Sequence, residues 1–140
     1  MNAALTHVAF GVRDLDRTIA FYRKHVGLHV VHERQDDVSR VAWLAEREQD
    51  PTFVLVFIEG PGDGSPSPSA LQHLGFALGS REEVNAAAEA ARAEGILTLE
   101  PMYAGPIVGY FCIVEDPDGV QVEFSHGQPI NPRHLPRGDA

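Results

Sequence analysis

Two stretches of the 140-residue chain follow one pattern. Leu5 to Val12 reads LTHVAFGV, and Leu71 to Leu78, 66 positions on, reads LQHLGFAL. Both put a histidine at the third place. As strands, both have a bulky apolar face and a face of small residues plus that histidine. The small face carries His7, Ala9 and Gly11 in the first copy and His73, Gly75 and Ala77 in the second. A repeat of this period marks a supersecondary unit that is too small to bury its apolar face alone.

The repeat extends beyond the strands. After the first copy, Asp14 is suited to cap a helix in which Leu15, Ile19, Tyr22 and Val26 recur at helical spacing, with Gly27 as the stop. After the second, SREE (Ser80 to Glu83) has the form of a capping box, an alanine-rich helix follows, and Gly95 ends it. Three strand-like runs follow each helix: LHVVHER, VSRVAWLA and TFVLVFIEG, then ILTLEP, VGYFCIVE and GVQVEFSHG. The expected fold is therefore α+β, two β-α-β-β-β modules forming a curved mixed-sheet cup within a single domain over 1–140. Module 1 covers about 4–60, a Gly/Pro/Ser-rich linker 61–69, module 2 about 70–127 and a Pro-rich tail 128–140.

Bulk properties exclude several functions. A hydrophobic share of 44% with 22% charged residues is that of a globular chain. The net charge of −9 argues against a nucleic-acid or anionic-membrane partner, since both need basic patches. No window reaches the length of a membrane span and the start lacks a leader pattern, so a cytoplasmic location is expected. Cys112 is the lone cysteine and reads as a buried structural thiol in an apolar run. The RGD at Arg137 to Asp139 reads as a chance motif.

Aligning the last strands on Gly60 and Gly127 places Val56 over Glu123. Positions 7, 56, 73 and 123 are thus related by the repeat and hold His, Val, His and Glu. If the two sheets enclose a cup, His7, His73 and Glu123 provide two imidazoles and a carboxylate, a ligand set for a divalent transition metal. Small neighbours leave room for a substrate. Glu59 has the opposite parity and points away from such a cup.

The stretches HVAFGVRDLDRTIAFY (His7 to Tyr22), HLGFAL (His73 to Leu78) and VEDPDGVQVEF (Val114 to Phe124) resemble the vicinal oxygen chelate superfamily, which includes glyoxalases, extradiol dioxygenases, fosfomycin resistance enzymes and bleomycin-binding proteins. The resemblance implies paired β-α-β-β-β modules and one divalent metal ion (Fe, Ni, Zn, Mn or Co) held by His7, His73 and Glu123. It also implies a homodimer and a small substrate chelated through neighbouring oxygens. Within the family, the pattern points to glyoxalase-like isomerase or lyase proton transfer with Glu123 as catalytic base. An Fe(II)-dependent dioxygenase of the extradiol type and a non-catalytic drug- or metabolite-binding protein are the alternatives. Glyoxalase I enzymes usually carry a fourth ligand where this chain has Val56. The histidine that assists extradiol chemistry is absent from its usual place, leaving His126 as a substitute only if the chain end curls inward. Fosfomycin enzymes need basic groups that the 98–112 stretch lacks.

Other polar groups have weaker claims. His25, His29 and His32 read as solvated surface histidines. Trp43 and Phe57 could line a cup but are assigned to the core. Arg13, Arg40 and Tyr103 are candidates to meet an anionic substrate, with no spacing that singles them out.

Overall fold

The computed structural model describes residues 5–35, 37–60 and 73–134. The linker expected at 61–69 and the RGD lie outside the described residues. The chain divides into two compact units, Met1–Ala70 and Leu71–Ala140. Each is an open four-stranded mixed sheet with a helix, as the repeat requires.

In the first unit, β1 (His7–Gly11) leads into α1 (Leu15–Phe21), and β2 (His29–Gln35), β3 (Arg40–Ala45) and β4 (Val54–Glu59) follow. The sheet order is β1-β4-β3-β2, with β1 parallel to β4 and the other pairs antiparallel. Strand parity assigns the faces. Val8 and Phe10 join Leu55, Phe57, Ala42 and Leu44 on the helix side, where Phe57 stacks on Tyr22 at 4.9 Å and on Phe10 at 5.6 Å.

Asp14 caps α1 as expected, its carboxylate accepting the Arg17 N–H at 3.1 Å. Gly27 is the stop, with φ of 81°. The buried stripe differs from the expected one: Leu15, Thr18, Phe21 and Tyr22 are buried while Ile19 and Val26 are only half-buried. These four still share one helical face, and a widened π-turn over Tyr22–Val26, closed by the Gly27 N–H on the Tyr22 carbonyl, follows it and takes Val26 off the expected spacing.

The second unit repeats the plan. β5 (His73–Ala77), α2 (Arg81–Ala93), β6 (Leu97–Tyr103), β7 (Tyr110–Glu115) and β8 (Gln121–His126) form a sheet of order β5-β8-β7-β6, with β5 parallel to β8. The Ser80 hydroxyl accepts the Glu83 N–H at 3.1 Å. Glu83 reaches back to the Gly79 N–H rather than to Ser80's own, at 2.5 Å, so the capping box closes one residue early. Val84, Ala88 and Ala91 pack the buried face of α2, and Cys112, Val114, Val122 and Phe124 are buried in the sheet. The Cys112 thiol donates weakly to the Val84 carbonyl at 3.9 Å. Gly109 is held by close packing: with φ of 81°, a Cβ there would lie 2.4 Å from the His126 carbonyl oxygen.

Candidate functional site

In the second unit, His73 aligns with Gln121, Gly75 with Glu123 and Ala77 with Ser125. His73, Gly75 and Glu123 therefore share one sheet face, opposite Phe76 and Phe124. On β8's other side Glu123 aligns with Ile113. Its carboxylate thus has neither neighbour as a donor: Gly75 has no side chain and Ile113 is apolar. Oε2 lies over Gly75, 3.5 Å from where a Cβ would stand. Glu123 is only 7% exposed, yet among the described residues no hydrogen bond or ion pair holds its carboxylate. Its oxygens are not fully enclosed, since among the described residues no enclosed side-chain oxygen lacks a partner, and they remain open to a cation.

In the first unit, His7 aligns with Val54 and Ala9 with Val56. Val56 therefore holds the ladder position that Glu123 holds in the second unit, as the sequence alignment expected. His7 Nδ1 is 2.9 Å from the Thr6 hydroxyl. When Nδ1–H donates to Thr6, the ring presents Nε2 as its free lone pair. His73 and Glu123 lie in one unit and His7 in the other. Among the described residues, no three His, Cys, Asp or Glu side chains gather as a metal-holding cluster.

Glu59 is on the opposite face, as its parity demanded. Its carboxylate accepts the Leu15 N–H at 2.7 Å, at the start of α1. His126, two residues past Phe124, shares the helix-side parity, and its Nδ1 lies 3.1 Å from the Leu78 carbonyl. It does not join Glu123's face. Arg40 is paired with Asp16 at 3.0 Å, and that hydrogen bond and charge hold the Asp16 carboxyl below its ordinary value. Tyr103 stacks on Arg81, 5.1 Å from its ring centroid.

The face of the first sheet that bears His7 borders a cleft of about 810 Å³. Val54, Val56 and Ile58 form its apolar floor, and Trp43, His32 and Arg34 stand beside them. Two expectations need correction here. Trp43 is 37% exposed and lines the cleft, whereas Phe57 is a core residue as expected. His32 is half-buried against the Trp43 ring at 4.8 Å and is not a solvated surface histidine. Trp43 takes the cleft face through its register with Val56, and a register shift between Val30 and His32 sets His32 opposite it. The alternation of His32 with Arg34 was visible in the sequence, but the bulge was not.

These features define a class of protein: a duplicated mixed-sheet module with a histidine at one place of each copy and a carboxylate beside one of them. The Glyoxalase/Bleomycin resistance protein/Dioxygenase superfamily matches residues 4–124, and the chain belongs to that superfamily. It is 41% identical to an uncharacterised protein of Pseudomonas aeruginosa, over 94% of each chain. It is 28% identical to a lactoylglutathione lyase of Haemophilus influenzae, over 86% of this chain and 90% of that one. It spans about half the length of the plant lactoylglutathione lyases it matches, 44% and 46% of two of them. The fold matches that of a glyoxalase/bleomycin resistance protein/dioxygenase domain from Frankia sp. EAN1pec, with a TM-score of 0.74 at 20% identity, covering 91% of this chain and 100% of that one. Among the described residues, no helix is long and apolar enough to cross a membrane.

Proposed function

We propose that this chain is a divalent-metal-dependent enzyme that acts on a small organic substrate through two neighbouring oxygens, by glyoxalase-like proton transfer. The observation that carries the reading is Glu123, a largely buried residue whose carboxylate has no donor on either side and shares a sheet face with His73. Membership of a superfamily with lactoylglutathione lyases among this chain's relatives supports it.

His73 and Glu123 would hold the ion together with His7, whose Nε2 is left open by the Thr6 contact. The donor set of two imidazoles and one carboxylate suits a divalent transition metal. When bound, such an ion would supply Lewis-acid stabilisation of negative charge on the chelated oxygens as a proton leaves the adjacent carbon. Val56 adds no fourth side-chain ligand, which leaves more of the coordination sphere to substrate and solvent. Glu123 has two carboxylate oxygens, so one can ligate while the other accepts the proton. The glycine beneath it gives the carboxylate room to move between those tasks. Assembly as a homodimer belongs to the same proposal, on family likeness, and sedimentation equilibrium tests it.

Metal analysis of the purified protein and of His7→Ala, His73→Ala and Glu123→Ala tests the site. The expected result is bound transition metal in the parent and a loss of at least about tenfold in affinity for each variant. Unchanged metal content in His7→Ala and Glu123→Ala would overturn the assignment. Oxygen uptake by the Fe(II)-loaded protein tests the reaction class. Activity with Ni, Co, Mn or Zn that consumes no oxygen supports proton transfer, and strict dependence on Fe(II) and oxygen overturns it.

A further inference from the structure

We propose that the cleft on the first unit's sheet takes the anionic end of the substrate, with the Arg34 guanidinium as its anchor. The inference deepens the function proposed above and rests on it. It defines the substrate class as a small organic anion with an apolar body.

Arg34 is placed for this by its neighbours. Its guanidinium lies over the Trp43 ring at 5.9 Å, and Nη1 donates to His32 Nε2 at 3.1 Å. Those two contacts orient the planar fork and use one of its five N–H donors. Among the described residues, no carboxylate pairs with Arg34. Arg40, by contrast, pairs with Asp16, and Arg92 with Glu89 and Glu100, while Arg81 stands over Tyr103 and Tyr110 in the other unit. In a chain of net charge −9, an arginine that stands on an indole without a carboxylate partner is available to an incoming one. Glu48 is the acidic side chain lining the same cleft, and no hydrogen bond or ion pair ties it to Arg34 among the described residues.

The rest of the cleft fits the other end of such a molecule. His7 stands on β1 and Arg34 on β2, the two edges of the sheet, and the registers also set them four residues apart along the strands, His7 level with Val54 and Arg34 with Ile58. Between them lie Val54, Val56 and Trp43. A ligand that reaches both edges is therefore extended and apolar in the middle. Its oxygens lie at the His7 end and its carboxylate, sulfonate or phosphate at the Arg34 end. A neutral or cationic molecule of the same shape would leave the guanidinium without its counter-charge.

Trp43 is the sole tryptophan in the chain, so its fluorescence reports the cleft directly. The test titrates metal-stripped protein with 4-phenylbutyrate and with 4-phenylbutanol, which shares its apolar body but has no charge. The expected result is a change in Trp43 emission with the acid and binding at least about tenfold tighter than the alcohol's. Arg34→Gln should abolish that preference, Arg34→Lys should restore part of it, and both variants should keep the parent's metal content. Equal binding of acid and alcohol, or a preference that survives in Arg34→Gln, overturns the proposal. So does emission unchanged by either ligand, the result if another copy of the chain covers the indole. Metal content is read separately in the same variants. A lost acid preference with metal intact therefore supports the anchor, and an absence of metal in the parent tells against the metal site alone.

Discussion

Glu123 and Gly75 work as a pair across β5 and β8. The Glu123 carboxylate lies where a side chain larger than alanine's at position 75 would extend. Gly75→Ala brings a Cβ to 3.5 Å of Oε2, an ordinary contact, and should change metal content little. Gly75→Val adds branches that must displace the carboxylate, and elemental analysis of that variant should find bound metal much reduced. Gly109 differs in kind. Its left-handed backbone and the His126 carbonyl 2.4 Å from a Cβ both forbid a side chain. Gly109→Ala should lower unfolding free energy by about 2–4 kcal/mol, read from urea denaturation. The histidine and glutamate positions were legible in the sequence because the repeat aligned them. The bare surroundings of the carboxylate were not, because Ile113 reaches it only through the β7–β8 register.

At the scale of elements, Glu59 and His126 form an informative pair. Both sit three residues after the aligned positions Val56 and Glu123, and both face the helix side of their sheets. Glu59 supplements Asp14 at the positive end of α1. Glu59→Ala should therefore cost about 1–2 kcal/mol of stability in thermal or urea melts while leaving metal content unchanged. Loss of metal in that variant would refute the structural role. The helix caps and stops of both modules could be read from Asp14, Gly27, Ser80 and Gly95, since each uses local chemistry. The π-turn at Tyr22–Val26 and the bulge in β2 could not. Both are one-residue adjustments chosen by packing in three dimensions: one widens the turn that ends at Gly27, and the other turns His32 toward Trp43.

Across the whole molecule, the order of elements was legible because hydrophobic period, caps and turns agreed in both copies. The cleft was not, because it draws on residues from four strands and the loop before β4. Two global measurements follow. If His7, His73 and Glu123 bind a metal only in the folded chain, saturating divalent ion should raise the melting temperature. A hundredfold excess over Kd corresponds to about 2.7 kcal/mol, and Glu123→Ala should remove the effect. The second concerns Cys112, whose thiol burial pushes up to about 11 from 9.0. The folded value is the raised one, so the neutral thiol's contribution is complete below pH 9 and is lost as pH rises toward 11. The urea midpoint should fall across that window more steeply in the parent than in Cys112→Ala.

The two ladders carry a record of how the halves have diverged. His7 aligns with Val54, 47 positions on, while His73 aligns with Gln121, 48 positions on. The spacing within a half has therefore changed by one residue, yet Ala9 still meets Val56 just as Gly75 meets Glu123. Insertions and deletions between the strands have been absorbed in bends and turns, and strand phase has been kept. A slip of one in that phase would exchange the faces of a whole strand. Loop length is thus the freely varying quantity in such a duplicate, and phase the inherited one. Grafted loops of unequal length should be accepted far more readily than any shift along β4 or β8.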